Sequence, residues 1–189
     1  MFDKILKLKI TSAAPLIMHN GQMRDPLNSI VQKMKVLTAK RKKTEADFEE
    51  ISRLEWYGGL YVSDGKIIIP GEAWEGSIRG AARTKKRGKD VERAVIVDNS
   101  FLIYSGPKKI DDLWNDENFR LIKAVVVQRN AVMRTRPFFK EWGTMVTVRF
   151  GSDVLNEADV LDFIMIAGSQ IGILDWRPKF GRFTAEKIK

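Results

Sequence analysis

Hydrophobic and polar residues alternate near both ends of the chain, which is the pattern of a strand with one buried face. Residues 4–10 set lysine against isoleucine and leucine, and residues 144–150 follow the same period of two. This period predicts two strands that pack one face on a core, and residues 183–188 are interpreted as the closing strand. Residues 122–127 are almost continuously apolar, and they predict a fourth strand.

Two other segments have the period of an amphipathic helix. Residues 70–85 open on a Pro-Gly pair, and residues 156–171 follow the candidate N-cap Asn156 and end before Gly172. The apolar positions of the second segment repeat at helical spacing: Val160, Phe163, Ile164, Ala167 and Ile171. With the strands, these helices give the order β-α-β-β-α-β. The sequence therefore predicts an α+β protein with a modified ferredoxin-like or RRM-like core.

The remaining segments are interpreted as insertions on this core. A chain of 189 residues is typical of one decorated domain, so we predict a single domain over 1–189 with insertions at roughly 31–69 and 90–120. The first insertion holds a helix over 44–56, whose first residue is a candidate N-cap. A hairpin with a clear turn signal follows over 60–69.

Composition adds a strong positive charge and excludes several kinds of chemistry. Lysine and arginine number 33 against 24 acidic residues, a formal net charge of +9, which favours nucleic acid over a membrane or an acidic protein as partner. The chain has no cysteine and only one histidine, His19. Disulfides, thiolate sites, thiol nucleophiles and multi-histidine metal sites are therefore excluded. Because phosphate-binding P-loop and dinucleotide motifs are also absent, we expect no cofactor and no metal.

The hydropathy pattern also bears on where the protein works. The apolar runs are far shorter than the roughly 20 residues that a membrane span needs. The N-terminus, MFDKILKLKI, does not have the pattern of a signal peptide. We therefore expect a cytoplasmic protein that makes no membrane contact.

The basic residues fall into four clusters, at 33–43, 79–93, 129–140 and 177–182. Each lies in or beside a predicted loop, including a basic loop that we predict over 129–139, and aromatic residues accompany the last two clusters. Single-stranded nucleic acid requires this mixture, because cations neutralise phosphates and aromatic rings stack on bases. The simpler interpretation is a solvated basic surface around a core that buries the aromatic rings.

Three segments resemble the RAMP superfamily, the RNA-binding subunits of CRISPR effector complexes. Residues 68–83, IIPGEAWEGSIRGAAR, resemble the signature IPGSSLKGALR, with Glu75 where lysine is usual. Residues 172–183, GILDWRPKFGRF, resemble the glycine-rich loop between the second helix and the last strand. Residues 14–21, APLIMHNG, resemble the segment that follows the first strand in this superfamily.

The resemblance implies single-stranded RNA binding without strict sequence readout. The size is most similar to that of the backbone subunits, which implies self-assembly along RNA as a homo-oligomer or filament, together with other effector-complex subunits. A compact phage-encoded relative fits the same resemblance. The candidate nucleic-acid-binding residues are Arg79, Arg83, Lys86, Arg134, Arg136, Trp176, Arg177, Lys179 and Arg182.

Asp25 is a candidate catalytic residue by the same resemblance, because some backbone subunits cleave RNA with an aspartate in the loop after the first strand. A loop carboxylate is suited to activating a ribose hydroxyl, whereas the ordinary interpretation of Asp25-Pro26 is a turn, which we favour. His19 titrates near neutral pH but is more often structural in an apolar context. The basic segment 33–43 is either a protruding arm or a solvated helix face.

These observations leave three hypotheses open, beside a structural protein without nucleic acid, which unchanged binding after charge reversal of Arg79 and Arg83 would select. The first is the RNA-coating protein implied by the resemblance. The second is a phage-type single-stranded DNA-binding or replication-associated protein on the same fold, which a preference for DNA would select. The third is an endoribonuclease that uses Asp25, which periodic cleavage of bound RNA would select.

Overall fold

A computed structural model describes residues 2–127 and 129–188, except for the side chain of Val127. The strands are β1 (Lys4–Ser12), β2 (Leu16–Ile17), β3 (Val62–Ser63), β4 (Lys66–Ile69), β5 (Val95–Val97), β6 (Ser100–Phe101), β7 (Arg120–Val127), β8 (Asn130–Phe139), β9 (Gly143–Phe150) and β10 (Phe183–Lys187). The helices are α1 (Ser29–Thr38), α2 (Glu45–Gly59), α3 (Gly71–Thr84), α4 (Gly88–Ala94), α5 (Ile110–Asn115) and α6 (Glu157–Ile166). No helix among the described residues is both long and apolar enough to cross a membrane.

The chain divides into two compact units. Unit 1 comprises Met1–Leu16, Val62–Ser105 and Lys140–Lys189, and unit 2 comprises Ile17–Tyr61 and Gly106–Phe139. This division does not test the expected single domain over 1–189 with insertions at 31–69 and 90–120, which stays a prediction.

Unit 1 holds a four-stranded sheet in the order β10-β1-β9-β5, antiparallel throughout. Along the chain α3 lies between β1 and β5, and α6 lies between β9 and β10. This is the β-α-β-β-α-β connectivity of a ferredoxin-like fold, so the predicted α+β class and core are confirmed. A small second sheet, β3-β4-β6, contains the predicted hairpin.

One face of the large sheet forms the core of unit 1. The alternation in β1 buries Leu6, Leu8 and Ile10 and leaves the lysines exposed, as a half-buried strand requires. Trp74 of α3 packs edge-on against Phe183 of β10, with ring centroids 5.2 Å apart. The predicted helical stripes are therefore confirmed as core faces.

The prediction of the second core strand was wrong. Residues 122–127 are not in this sheet, because β7 pairs along its whole length with β8 in unit 2. The position beside β9 is taken by the three-residue strand β5. The prediction of a basic loop over 129–139 was also wrong. In β8, uncharged and charged residues alternate from Met133 to Arg136, which is a strand period that the charge obscured.

Unit 2 joins a helical pair to this hairpin. Asn28 begins α1 by accepting a hydrogen bond from the backbone of Ile30 (2.9 Å), so the basic segment 33–43 is a helix followed by a turn. Thr44 begins α2 as the predicted N-cap, and Asp47 completes a capping box with it. The buried carboxylate of Glu55 then ties α2 to β8 by accepting a hydrogen bond from the backbone of Thr135 (2.8 Å).

The start of helix α6 in unit 1 is expected to be sensitive to acid. Asp159 completes the capping box of α6 and lies 2.8 Å from the guanidinium of Arg87. This guanidinium, with the backbone N–H of Asn156, lowers the pKa of Asp159 below its ordinary value of 3.8. A carboxyl whose pKa is lowered on folding stabilises the protein above its unfolded pKa, and that contribution is lost as the pH falls through the folded value.

We therefore expect Asp159→Asn to lower the free energy of unfolding by about 1 kcal/mol at neutral pH, the usual size of a capping contribution. The wild-type and variant stabilities should converge as the pH falls from 3.8 through the lowered folded pKa of Asp159, because only below that folded value is the side chain uncharged in both the folded and the unfolded chain. Urea unfolding across this range measures the difference. A constant difference down to the acid limit would contradict the assignment.

Candidate nucleic-acid interface

The loop between α6 and β10 is closed at its base by two glycines. The backbone N–H of Ile173 donates to the carbonyl of Gly181 (2.9 Å), and the N–H of Gly181 donates to the carbonyl of Pro15 (2.8 Å). Gly172 and Gly181 have φ angles of 75° and 71°, which glycine adopts without strain. A Cβ at Gly181 would lie 2.0 Å from the carbonyl oxygen of Ile173. The loop closure therefore requires glycine at this position.

The loop presents two cations to solvent. Arg177 and Lys179 are exposed, and neither forms an ion pair within the described residues. The Nε of Arg182 donates to the carbonyl of Pro178 (2.8 Å), so Arg182 braces the loop. Trp176 is half-buried, with its ring centroid 6.0 Å from that of Phe180. Arg177 and Lys179 are thus the members of this cluster best placed to meet phosphates.

Helix α3 attaches to the loop through one flank. The hydroxyl of the fully buried Ser77 donates to the carbonyl of Gly172 (2.7 Å). One turn later Gly80 faces Ile171, whose side chain would lie 3.4 Å from an added Cβ. Residues 68–83 and 172–183, two of the three segments that resemble the RAMP superfamily, therefore meet within unit 1. Ser77 was not among the predicted site residues, although a small polar residue between two glycines four positions apart could have indicated it.

Side chains on the opposite side of α3 contact other elements of unit 1. Arg79 pairs with Glu92 of α4 (3.3 Å), and the carboxylate of Glu75 accepts a hydrogen bond from the backbone of Val97 (3.0 Å). This contact explains why Glu75 replaces the usual lysine. Arg83 and Lys86, at and beyond the end of α3, are exposed and unpaired within the described residues. They are better placed than Arg79 to bind a polyanion.

Arg134 and Arg136 lie in unit 2, where both pair with Glu55. Their Nη1 atoms lie 2.8 and 3.4 Å from the same carboxylate oxygen. Glu55 is 5% exposed and Arg136 is 8% exposed, so the cluster contributes to the packing of this unit. The acidic residue inside the apolar stripe of α2 was the available signal for this ion pair. The role of both arginines in nucleic-acid binding stays a prediction.

Asp25 lies in the turn that its sequence favours. Its side-chain oxygen accepts a hydrogen bond from the backbone of Leu27 (2.9 Å), and the residue is exposed. His19 is half-buried and lines a cavity of about 240 Å³ with Arg134 and Arg136. Within residues 2–127 and 129–188, no three histidine, aspartate or glutamate side chains form a metal-binding group. The catalytic assignment of Asp25 stays a prediction.

Comparison with known proteins places the fold. No family model matches the sequence, and no curated protein matches it. Among solved structures, the chain is similar to a chain of the type III-B Cmr-beta complex bound to cognate target RNA, with a TM-score of 0.57 and 11% sequence identity. The match covers 98% of this chain and 60% of that chain. The two therefore share a fold, and this chain spans about 60% of the length of the neighbour.

Proposed function

We propose that this protein is a RAMP-type single-stranded RNA-binding protein that self-assembles along the nucleic acid. The observation that carries the proposal is the junction in unit 1 between α3 and the glycine-closed loop. The bond from Ser77 to the carbonyl of Gly172 joins two of the three segments that carry the resemblance. Exposed cations accompany both segments.

The chemistry of this junction suits a phosphate backbone. Arg83 and Lys86 beside α3, and Arg177 and Lys179 on the loop, supply cations with free donors. Each phosphate contact releases counterions and contributes affinity without reading sequence. Because Trp176 is half-buried against Phe180, stacking on bases contributes less than neutralisation of phosphates. The proposed mode of binding is therefore electrostatic and tolerant of sequence.

The solved neighbour supports RNA as the partner. Its complex is described as bound to cognate target RNA, and the proposal carries this partner, and an effector-complex setting, to the present chain. A phage setting is compatible with the same mode of binding.

Binding is tested by fluorescence anisotropy on labelled single-stranded RNA and DNA of the same mixed sequence. We expect tighter binding to RNA, with the logarithm of affinity falling by about 0.7 per phosphate contact for each tenfold rise in salt. Preferential binding to DNA would favour the phage-type DNA-binding alternative. Absence of binding to either strand at low salt would overturn the proposal.

The same complexes, incubated with magnesium and resolved by size, test the endoribonuclease alternative. RNA fragments that step by a fixed increment, and that disappear in Asp25→Ala, would establish cleavage. Intact RNA would exclude this activity for the isolated protein.

A further inference from the structure

The β7–β8 hairpin of unit 2 has an apolar stretch on one face, beyond Arg120 at the start of β7. Its register places Ile122 opposite Thr135, Ala124 opposite Met133, and Val126 opposite Ala131. Side chains on one face of a strand lie two positions apart, so all six share a face. Val126 is 77% exposed, Met133 59% and Ile122 53%. Exposed apolar faces of this kind mark interaction surfaces.

This hairpin face and helix α2 enclose an apolar groove. Phe48 of α2 is 59% exposed and lines a groove of about 490 Å³ with Trp114, Ile122 and Met133. Glu45 and Glu49 on α2 form an acidic rim. The cation at the groove, Arg120, lies over the Trp114 ring at 4.7 Å and pairs with Glu117 (3.5 Å). The exposed carboxylates therefore favour a partner that is both apolar and basic.

The open face of the unit 1 sheet has this chemistry. Along β1 it presents Ile5, Lys7 and Lys9, and the neighbouring strands β9 and β5 add Met145 and Ile96. Ile5 is 56% exposed, Met145 50% and Ile96 41%. Glu186 of β10 lies opposite Lys9, and Thr147 lies opposite Lys7.

This sheet face is not built for nucleic acid. RRM-type sheets bind RNA by stacking bases on aromatic side chains of their central strands. The described strands β1, β5, β9 and β10 place no aromatic residue on the open face. A mixed apolar and basic surface without rings is better suited to packing against protein.

We propose that the acidic apolar groove of unit 2 binds the open sheet face of unit 1 from a second copy of this chain. Lys7 and Lys9 are two strand positions apart, or about 6.6 Å. Glu45 and Glu49 are four helix positions apart, or about 6 Å. The two pairs can therefore meet as opposite charges while Ile5 and Met145 face the apolar groove.

The contact joins two different surfaces, so it is head-to-tail. A head-to-tail contact repeats into an open filament when its rotation does not close a ring. This inference rests on the self-assembly in the proposed function and identifies the surfaces that would mediate it.

A charge-swap experiment on nuclease-treated protein tests the pairing. Self-association is measured by sedimentation at low salt without RNA. We expect Lys7→Glu with Lys9→Glu, and separately Glu45→Lys with Glu49→Lys, to weaken self-association at least tenfold. The four substitutions together should restore it, because they re-form both ion pairs with reversed sign. Lys140→Glu with Lys89→Glu is the control, since both lysines are exposed and lie outside the groove and the strands of the sheet face, and their replacement changes the net charge by the same amount as that of the lysine pair.

Restoration in the fourfold variant also shows that the substituted chains fold. Weak association of all three swapped variants, or association unchanged in every variant, would overturn the pairing. RNA binding by the same proteins is measured separately, on an oligonucleotide too short to bridge two copies. If the wild-type protein self-associates but does not bind the short RNA, the proposed function is overturned and the pairing stands.

Discussion

Replacing Arg83, Arg177 and Lys179 by glutamine should weaken single-stranded RNA binding by about a hundredfold at about 0.1 M salt. Each lost phosphate contact lowers the slope of log affinity against log salt concentration by about 0.7, so three lost contacts lower it by about 2.1. Between 1 M and 0.1 M salt, this difference in slope amounts to about two orders of magnitude in affinity. All three side chains are exposed and none forms an ion pair within the described residues. Anisotropy titrations at several salt concentrations measure both quantities.

The matched control removes three paired cations from unit 1. Lys85, Arg93 and Lys187 pair with Asp162, Asp90 and Glu157. Glutamine at these positions changes the net charge by the same amount, but each cation is already neutralised by its carboxylate. The control should therefore lose much less affinity. An equal loss in both variants would mean that net charge governs binding, and that the surface beside α3 and the loop has no special part in it.

The ferredoxin-like core could be predicted because its pattern is local. Alternation in β1 and helical spacing in α3 and α6 report which face each element buries, and the structure confirms all three. The second core strand could not be predicted in this way. β5 has three residues, too few to show a period, whereas the longer run in β7 was more conspicuous. Its partner β8 was hidden because arginines occupy alternate positions of a strand.

The candidate site was predictable in its backbone and less so in its side chains. The Pro-Gly helix start and the two loop glycines could be predicted, because steric limits favour these residue types at such positions and the residue type therefore indicates the backbone conformation. Whether an arginine is available depends on which carboxylate lies beside it in the fold. Arg79 and Arg134 are paired with Glu92 and Glu55, and neither acid is near its partner in sequence. Clusters of basic residues therefore overestimate the free charge of a surface.

The two glycines at the start and middle of α3 should respond to alanine in opposite directions. A Cβ at Gly71 would lie 1.9 Å from the carbonyl oxygen of Val97, and the backbone N–H of Gly71 also donates to Asn99 (2.9 Å). The helix start therefore cannot move away without losing that bond. We expect Gly71→Ala to lower the free energy of unfolding by about 3 kcal/mol, the upper end for overpacking a well-packed site.

Gly76 is the control on the same helix, because nothing lies within 4 Å of an added Cβ there. Gly76→Ala should raise the free energy of unfolding by about 0.5–1 kcal/mol through helix propensity, and urea unfolding of both variants tests the contrast.

The open space at Gly76 also leads to a prediction about RNA binding. If RNA passes over this face of α3, Gly76→Ala should bind RNA about fivefold more weakly, roughly 1 kcal/mol, while the protein becomes more stable. Unchanged RNA affinity in this stabilised variant would confine binding to the loop and the end of the helix, since a gain in stability rules out damage to the fold.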